Sequence, residues 1–349
     1  MSTEGASNYE YVTARVRHRR ASLFDDEDYR KLLRMGPGEI ARFMEETEYE
    51  TEINELGSRY AGVDLIEYAL NANLAKHFND LLQYSDGLLY YQIARYLRKF
   101  DAWNVKTVLR GRYSEADQET IEADLIRAGE LSDARLDALV AASDVAEAVE
   151  LLEDTVFGAD LAAAFDEYER TGLLVPLENA VDRAYFDAML DDGVPGDRAT
   201  ELYEEFLQAE IDFRNVRNAL RIGRAEVDLD PADYFIEGGR LFDETELRQL
   251  AGNRTELIER LRASVYGDEI ADALDDLEDA DSLVGFENAL EEALLSYSDH
   301  LSYVYPLSVC PVLAFVLAKE REVDNIRAIA RGREAGLSEA EIEEELVKL

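Results

Sequence analysis

Three copies of one short pattern, spaced almost evenly along the chain, constrain its fold more than any other feature. The first copy carries Asp101, Asn104, Lys106, Arg110 and Arg112. The second carries Asp212, Asn215, Arg217 and Arg221, and the third Glu322, Asn325, Arg327, Arg331 and Arg333. Each has an acid three residues before an Asn, an aliphatic residue after it, a base at +2 and an Arg at +6. The asparagines lie 111 and 110 residues apart in a chain of 349. Two further markers keep the same frame. An acid with an apolar partner (Glu67/Leu70, Glu178/Val181, Glu287/Leu290) precedes each Asn by 37 or 38 residues, and a Leu-rich start at Leu23, Leu131 and Leu241 precedes it by 81 to 84. Three markers in register describe a triplicated unit of about 110 residues.

The period of the apolar residues is helical. Leu89, Ile93, Leu97, Phe100, Asn104 and Val108 recur at helical spacing, and two long amphipathic helices are expected over Val63–Tyr84 and Leu88–Arg112. Further helices are expected at Leu161–Thr171, Val175–Leu190, Arg198–Gly223, Glu269–Leu277, Ser282–Tyr305 and Val312–Ala335. Gly36-Pro37-Gly38 and Gly193–Gly196 read as breaks, and Ser338 to Glu341 as a capping box. No run of alternating β-branched residues argues for a strand. The expected class is all-α: a frayed N-terminus over 1–9, then helical repeats over 10–116, 117–226 and 227–349, the last ending in a short helix.

The 77 acidic residues against 36 basic ones give a net charge of −41, and the acids occur in every segment. A chain with 47% hydrophobic residues still folds. A dispersed anionic shell fits molar salt, where screening shrinks to a few ångströms. Low ionic strength should therefore unfold the purified chain and molar salt restore it; a circular dichroism signal unchanged from about 0.05 M to about 3 M KCl would refute that. The same field repels phosphate, which argues against nucleic acid as a partner. Cys310 is alone, so no internal disulfide forms. Met1 to Asn8 is small and polar, and no leader is expected. The longest apolar run, Pro311–Ala318, is far short of the roughly 20 residues of a membrane helix.

On a helix, positions −2, +1, +4 and +5 from each Asn share one face: Ala102, Val105, Val108 and Leu109, with Phe213, Val216, Ala219 and Leu220, and Val323, Ile326, Ile329 and Ala330, in the other copies. The acid at −3 projects into that stripe, so Asp101, Asp212 and Glu322 should meet an Arg or several amide donors. The Arg at +6 points elsewhere and needs a partner from a neighbouring helix or unit. Two readings stand: buried pairs that fix helix packing, or direct contact with a partner protein. Windows 15–20, 95–112, 214–224 and 319–333 hold 19 of the 36 basic residues. These either pair within the fold or face an acidic partner, and Arg15, Arg17, Arg110, Arg112, Arg217, Arg221, Arg327 and Arg331 are the candidate interface residues.

Catalytic patterns are not found. His18, His77 and His300 lack the spacing of metal ligands, no phosphate-binding GxxxxGK[ST] loop occurs, and no cofactor is implied. Trp103 and Phe100 read as core.

The triplicate motif, the start Tyr11-Val-x-Ala-Arg15-Val, and Cys310-Pro311 followed by Glu320-Arg-Glu-Val-Asp-Asn325-Ile-Arg327 together resemble the C-subunit family of archaeal A-type ATP synthases, whose eukaryotic relatives are the d subunits of vacuolar ATPases. The acidity and the six lysines resemble the haloarchaeal version. The resemblance implies three helical domains with pseudo-threefold symmetry in a funnel. It further implies a non-catalytic coupler between the proteolipid rotor ring and the central shaft subunits D and F, peripheral at the cytoplasmic face of the cell membrane and meeting the membrane only indirectly, through the ring. The alternative from the residues alone is a free-standing helical-repeat scaffold for a soluble acidic partner.

Overall fold

The structure is a computed structural model, and it describes residues 7–190, 198–224, 234–251, 253–268, 270, 271, 274, 275, 278 and 283–347. Among the described residues every regular element is a helix, in keeping with the all-α class. The turn expected at Gly193–Gly196 lies outside the described residues, as do residues 1–6 of the expected frayed end and much of the helix expected over Glu269–Leu277.

Contacts divide the chain into two compact units. The first comprises Met1–Ser7 and Asn71–Gly193, the second Asn8–Leu70 and Val194–Leu349. In the first unit, the C-terminal part of α5 (Gly62–Tyr84) is followed by α6 (Gly87–Tyr113), α7 (Gln118–Ala123), α8 (Asp133–Ala141), α9 (Val145–Glu150), α10 (Gly158–Thr171) and α11 (Val175–Leu190). At 27 residues α6 is about 40 Å long, and it is the axis of the unit. Its inner stripe Leu89, Ile93, Leu97, Phe100, Val105, Val108 and Leu109 is buried. Phe78 of α5 stacks on Phe100 with ring centroids 5.1 Å apart. Gly87, at φ 61°, makes the reversal between α5 and α6 in a conformation that costs glycine little.

The second unit holds α1 (Tyr9–Arg20), α2 (Asp26–Leu32), α3 (Pro37–Met44), α4 (Glu50–Leu56) and the start of α5. From the later part of the chain it adds α12 (Arg198–Arg224), α13 (Glu244–Leu250), α14 (Arg254–Arg262), α15 (Leu283–Val304), α16 (Cys310–Glu334) and α17 (Glu339–Glu343). Its centre is α16, in which every residue from Cys310 to Ala318 is buried. That helix can be so apolar because α1, α3, α12 and α15 all pack against it. Pro311 sits in its first turn, where no intrahelical donor is lost. Ser338 and Glu341 form the capping box of α17.

One expectation is corrected. Trp103 is not a core residue: it is 44% exposed, because position −1 lies outside the stripe, and its indole N–H donates to the Asp124 carbonyl at 3.2 Å.

Candidate functional site

The three motif asparagines do the same thing. Each side-chain amide clamps one residue of an extended segment beyond its helix, donating Nδ2–H to that residue's carbonyl and accepting its N–H at Oδ1. Asn104 holds Ile126 at 2.7 and 2.8 Å, Asn215 holds Ile236 at 2.9 and 3.0 Å, and Asn325 holds Val347 at 2.6 and 3.0 Å. All three are buried. No other side chain of this size offers a donor and an acceptor in one plane, so Asn satisfies both backbone groups at once.

The acids three residues earlier are buried as well, and backbone amides meet all three. Asp101 accepts from the amides of Glu130 (2.7 Å) and Leu131 (3.0 Å), and Asp212 from those of Arg240 and Leu241. Gly129 and Gly239 precede these amide pairs, and a Cβ on either would meet the carboxylate oxygen, at 2.0 and 2.2 Å respectively. Glu322 accepts instead from the amide of Phe24, beside Leu23, which is the marker equivalent to Leu131 and Leu241. Each acid therefore caps the Leu-rich start of the following copy, and the last acid caps that of the first.

Sequence reasoning missed the hydroxyl that completes two of these sites. Tyr266 donates its O–H to Asp212 at 2.7 Å, and Tyr49 donates to Glu322 at 2.6 Å. Both sit in a turn of the form Ser/Thr-x-aromatic. In it the Thr47, Thr155 or Ser264 hydroxyl donates to the carbonyl three residues back and accepts the aromatic residue's N–H. The 108- and 109-residue spacing of these three hydroxyl residues was the available signal. In the first unit the aromatic is Phe157, which has no hydroxyl to give.

Asp101 therefore has its two amide donors and no tyrosine hydroxyl. Burial pushes its carboxyl up to about 6, against the lowering effect of its two amide donors. Burial also raises Asp212, and there the Tyr266 hydroxyl joins the amides in lowering it. An acid whose folded value lies above its unfolded value binds more protons when folded. Its contribution to stability thus declines as pH rises from about 4 through about 6, by on the order of 3 kcal/mol, and is level above that. Phe157→Tyr should supply the missing donor, lower the Asp101 value and recover about 1 kcal/mol at neutral pH. Denaturant midpoints followed across that pH range check it; an unchanged pH dependence would refute the account.

The third acid has a further partner. Lys319, fully buried, donates to Glu322 at 2.7 Å and to the Tyr49 hydroxyl at 2.8 Å, pairs with Glu48, and lies 4.2 Å from the Tyr49 ring centroid. One ammonium, two carboxylates and a phenol thus form the cluster, in which Glu48 and Tyr49 tie the segment after α3 to Lys319 and Glu322 of α16.

The Arg at +6 is paired inside the chain in every copy, always to the acid marker of the next. Arg110 pairs with Glu178, Arg221 with Glu287 through both its Nε and Nη2, and Arg331 with Glu67. The bases at +2 follow the same logic where they can. Lys106 meets Asp182 at 2.6 Å and Arg217 meets Glu291 at 3.1 Å, each acid four residues after the marker. Four residues after Glu67 stands Asn71, which carries no charge, and Arg327 pairs with Asp324 on its own helix at 2.9 Å. Burial, with Arg214 close by, pushes Arg217 down to about 10, still charged at neutral pH. These rim pairs are half open to water: Arg331 is 62% exposed. Arg331→Ala should accordingly cost less than about 1 kcal/mol, with a similar coupling energy to Glu67 in a double-mutant cycle.

Of the remaining candidate interface residues, Arg15 lies over the Tyr11 ring at 4.6 Å. Arg17 is exposed, and among the described residues it has no side-chain partner. The Nε and Nη2 of Arg112 are buried without a hydrogen-bond partner. His18 and His300 are exposed and His77 is buried. Among the described residues no group of His, Cys, Asp and Glu is arranged to hold a metal ion, and no helix is long and apolar enough to cross a membrane.

The site is thus an all-helical framework whose motif asparagines and acids are met within the chain, and comparison with known proteins supplies its family. The sequence matches the ATP synthase (C/AC39) subunit family over residues 12–345. It is 65% identical to the A-type ATP synthase C subunit of Haloferax volcanii over the whole of both chains. It is 61% identical to that of Halobacterium salinarum, again over both whole chains. With the corresponding protein of Methanosarcina mazei the identity is 35%, over 99% of this chain and 94% of that one. The chain belongs to the ATP synthase (C/AC39) subunit family.

Proposed function

We propose that this protein is the non-catalytic central-stalk subunit of a rotary A-type ATP synthase. In this reading it couples the membrane proteolipid rotor ring to the central shaft subunits D and F, so that ion translocation drives ATP synthesis, from a peripheral position at the cytoplasmic face of the cell membrane. The observation that carries the reading is the end-to-end likeness to the C subunits of A-type ATP synthases, from 65% identity in a haloarchaeon to 35% in a methanogen. The internal use of the motif supports it. Asn clamps, capped acids and paired arginines brace each of the two units internally, as a part that transmits torque requires.

The test is capture of the tagged protein from its own membranes in molar salt, with the eluate analysed by mass spectrometry and assayed for ATP hydrolysis. Recovery of proteolipid, shaft and nucleotide-binding subunits is the expected result. Recovery of soluble proteins alone would overturn the reading.

A further inference from the structure

Carboxylates are missing from two segments of this acidic chain, and the fold puts the two together. None occurs between Glu10 and Asp25, or between Asp299 and Glu320. The first segment is α1, and the second is the α15–α16 turn with the start of α16. The Thr13 hydroxyl donates to the Pro306 carbonyl at 3.1 Å, which fixes α1 against the turn. Val12, Thr13 and Val16 face inward. The surface left outside is aromatic, aliphatic and basic. Tyr303 is 87% exposed, Leu307 58%, Tyr11 48% and Val304 45%. Arg15 lies over the Tyr11 ring; at the edge of the patch Arg198 lies 4.9 Å from the Tyr305 ring centroid and is itself paired with Glu201 at 3.2 Å.

We propose that this patch is a lipid-headgroup contact, with Tyr303 and Leu307 entering the interfacial layer and Arg15 and Arg17 meeting lipid phosphates. Three physical arguments favour a bilayer over a protein surface. Tyrosine and arginine together are the side chains that settle at the level of the headgroups, where a ring is half buried and its polar end stays wet. Guanidinium groups form paired hydrogen bonds with phosphate oxygens. In molar salt the screening length falls to about 3 Å, so the rest of the −41 chain no longer repels an anionic membrane and only groups in direct contact count. An ordinary basic patch loses membrane affinity as salt rises. Here repulsion by the body is screened while apolar insertion is strengthened, so affinity should rise with salt. The proposal does not depend on the stalk assignment, since it concerns lipid alone.

The experiment is flotation of the full-length protein with vesicles of phosphatidylglycerol or of phosphatidylcholine, at about 1 M and about 3 M KCl. The wild type is expected to float with phosphatidylglycerol, and more at the higher salt. Tyr303→Ser/Leu307→Ser should reduce the floated fraction at least about tenfold, and Arg15→Gln/Arg17→Gln should remove the preference for the anionic lipid. All four side chains are outside the core, so circular dichroism should show unchanged helix content. Tyr303→Trp in a Trp103→Phe background gives a second readout, a blue shift of emission on vesicle addition. Equal flotation of wild type and the Tyr303→Ser/Leu307→Ser variant, or no flotation at either salt, would overturn the proposal. Loss of capture on lipid-stripped, detergent-solubilised membrane proteins without any loss on vesicles would replace it with a protein partner.

Discussion

Glu322→Ala should lower the stability of the second unit by about 3–5 kcal/mol. The substitution leaves Lys319 buried with one of its two carboxylates gone, and takes the acceptor away from both the Phe24 amide and the Tyr49 hydroxyl. Removing one member of a buried ion pair costs far more than the pair is worth, because the surviving charge keeps its desolvation penalty. The paired replacement Lys319→Met/Glu322→Leu should therefore be milder than Glu322→Ala alone, although it deletes more polar groups. Chemical denaturation of all three proteins in molar salt would decide. A double variant less stable than Glu322→Ala would mean that the cluster contributes net stability rather than merely demanding completeness.

Gly129→Ala should be nearly as damaging, at about 2–4 kcal/mol. The added methyl would stand 2.0 Å from Asp101 Oδ1 and 2.2 Å from its carboxyl carbon, inside any real contact distance. The carboxylate must then leave the amides of Glu130 and Leu131, stranding a buried acid and two donors. Relief should come from pairing Gly129→Ala with Asp101→Ala, which removes the object of the clash. The double variant is expected to be more stable than the sum of the two single effects, a coupling visible in denaturant midpoints. Simple additivity would show that the clash is absorbed elsewhere. Gly239→Ala should behave alike, through Asp212.

Much of this architecture was legible before any coordinates. The stripe at −2, +1, +4 and +5 is buried in all three copies, because helical period alone decides which side chains face inward. The spacing also showed that Asp101, Asp212 and Glu322 would point into that stripe and need donors. It did not show which donors, since the amides of Glu130 and Leu131 reach Asp101 only through the path of a loop, and loop paths leave no period in a sequence. The tyrosine hydroxyls were missed for a different reason. Phe157 breaks the pattern of Tyr49 and Tyr266, so chemistry varied where the turn geometry did not. Trp103 was misplaced because an aromatic one position off a stripe resembles one on it. The arginines were open in sequence between partner and fold, and Glu178, Glu287 and Glu67 are what each one at +6 meets.

The register in which each copy holds the next has an outcome for biosynthesis. Phe24 meets Glu322 across 298 residues, and Glu67 meets Arg331 across 264. Residues 8–70 leave the ribosome first and yet complete their packing only when α16, among the last helices made, has followed. Residues 71–193, which with Met1–Ser7 make up the first unit, encode the partners of Asp101, Asn104 and Arg110. That unit can close during translation while the earlier residues wait, with their apolar faces exposed to whatever is nearby. Deleting α16 should thus leave the residue 71–193 unit protease-resistant and residues 8–70 open to digestion, so that the oldest part of the nascent chain is the last to become native.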